Sequence, residues 1–260
     1  MILSDLHIHS TFSDGKMAIP EIVDHYGSRG FQCIAITDHV SESTTAIGVI
    51  AQNLQLSLSP ALFPIYREIL RTEAARAWDQ YRMIVIPGLE LSKNSISNHR
   101  SAHILALGVT DYISADGDVT DMISRIHAQG ALAIAAHPVS TRKWEKQTFH
   151  LWNRRQELAT LFDAWEVASG PFLFDEVKAS GLPMLASSDL HSLKQMTSWK
   201  TVFECELHRD AIFQAIRRQK LSFLYYQDKE TKRAHHTRPN LLEPRFRVHP
   251  SWDPGFGVAV

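Results

Sequence analysis

Two histidines two residues apart, His7 and His9, stand at the end of the first apolar segment of the chain. Side chains at i and i+2 share a face of an extended chain, so both imidazoles can reach one point. Asp14 follows in a Ser-Asp-Gly turn. Asp38 and His39 follow the second apolar segment, and Glu90 lies at the end of the third. His103 opens the fourth, His137 ends the fifth before Pro138, and Asp189 and His191 end the seventh. Singly, each is also what an ordinary core or loop residue looks like. Six histidines and three carboxylates gathered at strand ends are not explained by packing. Imidazole and carboxylate without thiolate suit Zn²⁺, Mn²⁺ or Fe. The other eight histidines read as ordinary residues, and His99, just ahead of the fourth strand, is the one worth testing.

The elements that must carry these groups follow from hydrophobic periodicity. Strands are expected over 2–7, 31–37, 83–91, 103–109, 132–137, 163–168, 183–188, 201–205 and 221–226. Several, such as 33–36 and 132–136, are continuously apolar, the pattern of strands buried on both faces. Val119, Met122, Ile123 and Ile126 are spaced for one helix face, and Gly130 follows as a stop. Pro20 and Gly30 bracket another helix, and a long one is expected over 64–81. Strands alternating with helices predict an α/β fold with a mainly parallel sheet, closed as a barrel. In such a barrel the C-terminal strand ends share one rim, where active sites form. His103, at the start of its strand, is the exception. Residues 1–227 are expected to form this barrel, and 228–260, which lack periodicity, an irregular C-terminal tail with more basic than acidic side chains.

Composition excludes several classes. The 260 residues hold 27 Lys and Arg against 28 Asp and Glu, a formal net charge of −1. That balance argues against a nucleic-acid coat or a membrane-surface protein. Apolar residues are 44%, enough for a large core and against a disordered chain. The longest clean apolar run, 131–136, is far short of the roughly 18 residues of a spanning helix. The first residues lack the basic and apolar regions of a secretory signal, and the two cysteines, Cys33 and Cys205, sit in apolar segments. A reduced, cytoplasmic protein is expected.

The motifs that carry the candidate ligands are Asp5-Leu-His7-Ile-His9-Ser-Thr-Phe-Ser-Asp14-Gly15, Ile36-Thr-Asp38-His39, Pro87-Gly-Leu-Glu90, His103-Ile-Leu, Ala136-His137-Pro138 and Ser188-Asp189-Leu-His191. Together, and in this order, they resemble those of the PHP (polymerase and histidinol phosphatase) family. The likeness runs from residue 3 to about residue 226 and is greatest to stand-alone metal-dependent phosphoesterases of bacteria and archaea. It implies a distorted (β/α)7 barrel with two or three metals at its C-terminal rim. Carried over by position, His7, His9, Glu90 and Asp189 would hold the first metal. Glu90, bridging, with His103 and His137 would hold the second, and Asp14, His39 and His191 the third. Nucleotide-phosphatase and exonuclease relatives carry a helical insertion between the positions of His103 and His137. Here only one helix fits that gap, while 40–82 is long enough to supply a different cap.

Such a centre combines divalent charge with three carboxylates and neutral imidazoles, an excess near about +3 that favours an anionic phosphate. The expected activity is hydrolysis of a small phosphomonoester by a metal-bridging hydroxide, since coordination lowers the pKa of water to about 7. Glu90, Asp189 and His191 would be central to it, and Asp38 would orient a ligand histidine. Arg142 is the first choice for a phosphate clamp, ahead of Lys93, Arg100, Lys143 and Lys194. Trp144, Trp152, Trp165 and Trp199 flank the same loops, where core packing competes with stacking on a substrate ring. The alternatives are a phosphodiesterase or 3′–5′ exonuclease acting on nucleotides or nucleic acid, which the basic tail motivates, and, ranked below it, histidinol phosphatase and a non-catalytic binding module.

Overall fold

The unbroken apolar segments become strands buried on both sides. The computed structural model describes residues 1–95, 101–139 and 149–228. In chain order the elements are β1 (Ile2–Asp5), α1 (Ile19–Gly27), β2 (Cys33–Ile36), β3 (His39–Ser41), α2 (Ala46–Asn53), α3 (Phe63–Tyr81), β4 (Ile84–Lys93), β5 (Ala102–Leu107), α4 (Val119–Ala128) and β6 (Leu132–Ala135). They continue with α5 (Phe149–Asn153), α6 (Arg155–Leu158), β7 (Ala164–Ser169), β8 (Phe172–Leu173), α7 (Asp175–Lys178), β9 (Met184–Ser187), β10 (Ser198–Phe203), α8 (Arg209–Arg217) and β11 (Leu221–Tyr226). Of the expected tail, only Asp228 is described; it pairs with Arg29 at 3.2 Å. Among the described residues, no helix is long and apolar enough to cross a membrane.

Local chemistry sets the helices that line the sheet. In α1, Pro20 sits in the first turn and Glu21 accepts the Ala18 N–H at 2.8 Å. The helix buries Ile19, Ile22, Val23 and Tyr26, one face at helical spacing. In α4, Asp118 accepts the Thr120 N–H, and Val119, Met122, Ile123 and Ile126 are buried as the spacing predicts.

The strands form one curled sheet in the order β11-β10-β1-β2-β4-β5-β6-β7, with β8 and β9 both pairing β7 and β3 extending along β4. Its ends meet at one rim. Leu190 donates its N–H to the His7 carbonyl at 3.1 Å and accepts the His9 N–H at 2.8 Å. Side chains alternate between two cores. Cys33, Ala35, Ile84, Ile86, Leu105, Leu107 and Ile134 belong to the inner one, which Ile212, Phe213 and Ile216 of α8 complete. Ile34, Ile36, Val85, Ile104 and Ala133 face the outer one, against Ile22, Tyr66, Leu70 and Met122.

The sheet is mixed, which corrects the expectation of a mainly parallel one. β5 runs antiparallel to both β4 and β6. A parallel return needs a crossover of about a dozen residues, and the 94–101 connection is shorter. The consequence reaches the site. An antiparallel strand starts where its parallel neighbours end, so His103, paired in register with Ser92, stands at the same rim as the others.

Candidate metal centre

Each candidate ligand reaches the rim by its own element. His7 and His9 follow β1, His39 opens β3, Glu90 lies in β4, His103 in β5, His137 after β6, and Asp189 and His191 after β9. Asp14 is carried by the turn over 10–15. That turn is pinned from below: Asp38 accepts the Ser10 N–H at 2.8 Å and the hydroxyls of Ser10 at 2.7 Å and Ser13 at 2.6 Å. Gly15 is required there, because a Cβ would fall 2.3 Å from the His9 carbonyl oxygen.

Glu90 is the hub. Its Oε2 lies 3.0 Å from His39 Nδ1, 3.2 Å from His7 Nε2 and 3.3 Å from His9 Nε2. Its Oε1 lies 2.9 Å from His103 Nδ1 and 3.3 Å from His137 Nε2. Asp189 Oδ1 is 3.4 Å from His7 Nε2 and 3.3 Å from His9 Nε2. Asp14 Oδ1 is 3.2 Å from His191 Nε2 and 3.6 Å from His39 Nε2. All nine side chains thus fall into overlapping groups: His7, His9 and Asp189; His7, Glu90 and His137; His39, Glu90 and His103; His9, Asp14, His39 and His191.

The donor set fits a bound cation. His7 Nε2, both ring nitrogens of His9, Asp14 Oδ1 and Glu90 Oε2 are buried without a hydrogen-bond partner. Buried polar atoms are rarely left so, and those of His7, His9, Glu90 and Asp14 sit in the overlapping groups, where they call for a partner. A divalent ion with nitrogen and oxygen ligands supplies it. Backbone strain gathers at the same place: His137 and Asp189 have φ of +28° and +53°, in the left-handed region that non-glycine residues avoid.

Without a cation the cluster polarises itself. Burial alone would raise Glu90, but the charges of His39, His7 and His103 hold it well below the usual carboxylate range. Asp189 and Asp14 are lowered in the same way, against burial, by their histidine neighbours. His191 is raised to about 9, because close contact with the Asp14 carboxylate and the Asp189 and Asp14 charges outweigh burial. His103 is lowered, since there burial prevails over Glu90.

Other residues hold the ligands in place. Glu166 Oε1 lies 3.0 Å from His7 Nδ1, and its Oε2 accepts the His137 backbone N–H at 2.8 Å. Ser92 Oγ is 2.7 Å from His39 Nδ1, and Asn94 Oδ1 is 3.1 Å from His103 Nε2. Glu166 was not anticipated; its signal was a lone acid in the buried Ala-Trp-Glu-Val-Ala strand. The expectation that Asp38 orients a ligand histidine is corrected, since its carboxylate binds the serines of the Asp14 turn.

A cavity of about 310 Å³ opens over the cluster, lined by Asp14, His39, His103, His137, Asp189 and His191 together with Ser41, Ala51, Leu56 and Asn94. Among the described residues, no Lys or Arg lines it. Lys93 is held by Glu42 at 2.5 Å and by the Gly117 carbonyl at 2.8 Å, while Lys194 is exposed beyond His191. Arg142, Arg100, Lys143, Trp144 and His99 lie outside the described residues. Trp165 is fully buried, with Trp152 edge-on at 6.2 Å, and Trp199 packs on Tyr225 at 5.4 Å, so these rings serve packing. His127 and His208 are ordinary, bonded to Asp163 and to the start of α8.

Parts of the chain are similar to known proteins. A family model described as PHP domain matches residues 5–112. A 54-residue segment, 21% of the chain, is 43% identical to the DNA polymerase/3′-5′ exonuclease PolX of Bacillus subtilis (strain 168), over 10% of that protein. A 110-residue segment, 42% of the chain, is 28% identical to a phosphoribosyl 1,2-cyclic phosphate 1,2-diphosphodiesterase of Eggerthella lenta, over 32% of that protein. The chain thus matches about a third or less of these relatives. In fold it is similar to a two-domain protein of Bacteroides vulgatus ATCC 8482 described as containing a predicted PHP-like metal-dependent phosphoesterase. That superposition has a TM-score of 0.60 at 21% identity, covering 86% of this chain and 65% of the other.

Proposed function

We propose, from the PHP domain match over residues 5–112 and the cluster built on Glu90, that this chain is a metal-dependent phosphoesterase acting on a small phosphomonoester. The observation that carries the reading is the gathering of buried, unpartnered nitrogen and oxygen atoms beneath a cavity that six of the candidate ligands line. His7, His9 and Asp189 with Glu90 would hold one ion, Glu90 with His103 and His137 a second, and Asp14, His39 and His191 a third. Divalent ions bound there supply Lewis acidity and activate water at neutral pH.

The protein's own groups do the positioning. Glu166 fixes the ring of His7 through Nδ1, leaving Nε2 toward Glu90 and Asp189. Asp38 holds the turn that presents Asp14. Ser41 and Asn94 line the cavity and offer polar groups to a phosphate ester. No serine or cysteine nucleophile is required; Cys33 belongs to the inner core. Arg142 is proposed as the phosphate clamp, so Arg142→Ala should raise KM more than it lowers kcat.

Size and lining favour a monoester. The cavity is at the small end of the roughly 300–1,000 Å³ of ligand pockets. Among the described residues, its lining carries no Lys or Arg to track a polynucleotide backbone. A phosphodiester is the second reading, because the Eggerthella lenta relative carries that name. The two are separated by p-nitrophenyl phosphate against bis(p-nitrophenyl) phosphate. Faster turnover of the first supports the monoester, and the reverse ranking replaces it with the diester. We further assign residues 1–227 to one catalytic unit, with 228–260 as an appended tail. The free Cys33 and Cys205 favour a reducing compartment, the cytoplasm.

A further inference from the structure

The segment after β3 is apolar where the surface should be polar. Helix α2 reads Ala46-Ile-Gly-Val-Ile-Ala51, yet Val49, Ile50, Leu54 and Leu56 are 44%, 57%, 63% and 42% exposed. Exposed apolar groups gathered in one short segment mark a binding surface more often than an accident of folding. Here the location is specific, because Ala51 and Leu56 line the same cavity as the candidate ligands.

This wall is anchored to the ligand-bearing strand. Leu58 donates its N–H to the His39 carbonyl at 2.7 Å, and Ser41 donates its N–H to Ser57 Oγ at 2.7 Å. Leu56 itself donates to the Ala51 carbonyl at 2.9 Å, which sets the two wall residues against each other. On the far side, Ser43 donates both its N–H and its hydroxyl to Asp116, at 2.7 Å each. Among the described residues, the cavity therefore has two chemically distinct parts. One is the cluster of imidazoles and carboxylates; the other is Ala51 and Leu56, with Ser41 and Asn94 as the polar groups beside them.

We propose that Ala51 and Leu56 are the specificity wall of this site, and that its ligand is a phosphate carried on a compact apolar group rather than on a sugar. The proposal rests on the phosphoesterase reading for the phosphate half and on the cavity lining for the organic half. A hydroxyl-rich sugar would set unpaired polar groups against Leu56, which is unfavourable, whereas a benzyl or branched alkyl group would remove apolar surface of both partners from water.

The test uses the Mn²⁺-loaded protein and two pairs of probes. Benzyl phosphate and glycerol 1-phosphate both release an alcohol, so their kcat/KM ratio reads recognition of the organic group. The expected ratio is at least about tenfold in favour of benzyl phosphate, and Leu56→Asn should bring it close to parity through KM. Leu56 is 42% exposed, so this substitution opens no core cavity. Calorimetry with benzylphosphonate and methylphosphonate reads the wall without turnover. Tighter binding of benzylphosphonate, with the gap closed in Leu56→Asn, is the supporting result. Equal binding of the two phosphonates by the unaltered protein, or a benzyl preference that survives Leu56→Asn, overturns the wall. Failure to hydrolyse either ester would instead overturn the phosphoesterase reading, since the phosphonate arm is scored separately.

Discussion

Glu166 Oε1 lies 3.0 Å from Nδ1 of His7, with both side chains fully buried. The same carboxylate accepts the His137 backbone N–H, so one residue of β7 ties together two candidate ligands from separate strands. Burial would lower His7, but the charges of Glu166, Glu90 and Asp189 keep it raised while no cation is bound.

A carboxylate behind a ligand imidazole raises its basicity and fixes its orientation. Glu166→Gln keeps the shape and an acceptor but removes the charge. Metal affinity should fall by about 10–100-fold, read by competition with a chromophoric chelator, while the far-ultraviolet spectrum of the chain is unchanged. An unchanged affinity would show that Glu166 only packs.

The pH response should differ with and without metal. In the metal-free protein His191 is raised from its ordinary 6.5 to about 9. A raised imidazole contributes its full stability below 6.5 and loses it as pH climbs through about 9. Thermal stability of the metal-free protein should therefore decline across that window. Ligation requires neutral imidazoles, so the metal-loaded protein should gain stability as pH rises toward 6.5 and hold it, without that decline, above. Parallel curves from differential scanning calorimetry would contradict the assignment of His191 to the cluster.

Deeper in the barrel, Lys200 Nζ is 2.7 Å from Asp5 Oδ2 and donates to Ser198 Oγ, with both charged side chains at 0% exposure. Asp5 also accepts the Tyr26 hydroxyl at 2.6 Å and the Ser188 N–H at 3.0 Å. Lys200→Met would strand a buried carboxylate two residues from His7. A loss of about 3–5 kcal/mol is expected in urea unfolding. A change under about 1 kcal/mol would mean that Asp5 takes up a proton and needs no partner.

Much of this site was legible because its residues are rare in the places they occupy. Histidine and carboxylate at the ends of apolar strands stand out, and His7, His9, His39, Glu90, His137, Asp189 and His191 could be gathered at one rim from topology alone. His103 could not, since its position depends on β5 reversing direction, and reversal is set by the length of the 94–101 connection rather than by strand composition. Glu166 was hidden for a different reason: a single acid in an apolar strand has no periodic signal, and only its bonds to His7 and His137 reveal it. The sequence suggests Asp38 as the partner of a ligand imidazole, but its carboxylate meets Ser10 and Ser13 instead. The apolar wall of Ala51 and Leu56 was visible only as extra length between β2 and β4.

The most direct test of the account is phosphate release from p-nitrophenyl phosphate by one preparation, first stripped by chelator and then reloaded with Mn²⁺ or Zn²⁺. Release should vanish on stripping and return on reloading, and Glu90→Gln, lacking the charge that both halves of the cluster share, should lose bound metal and activity together. Undiminished release by the stripped protein, or a fully loaded protein that frees no phosphate from any ester offered, would contradict it.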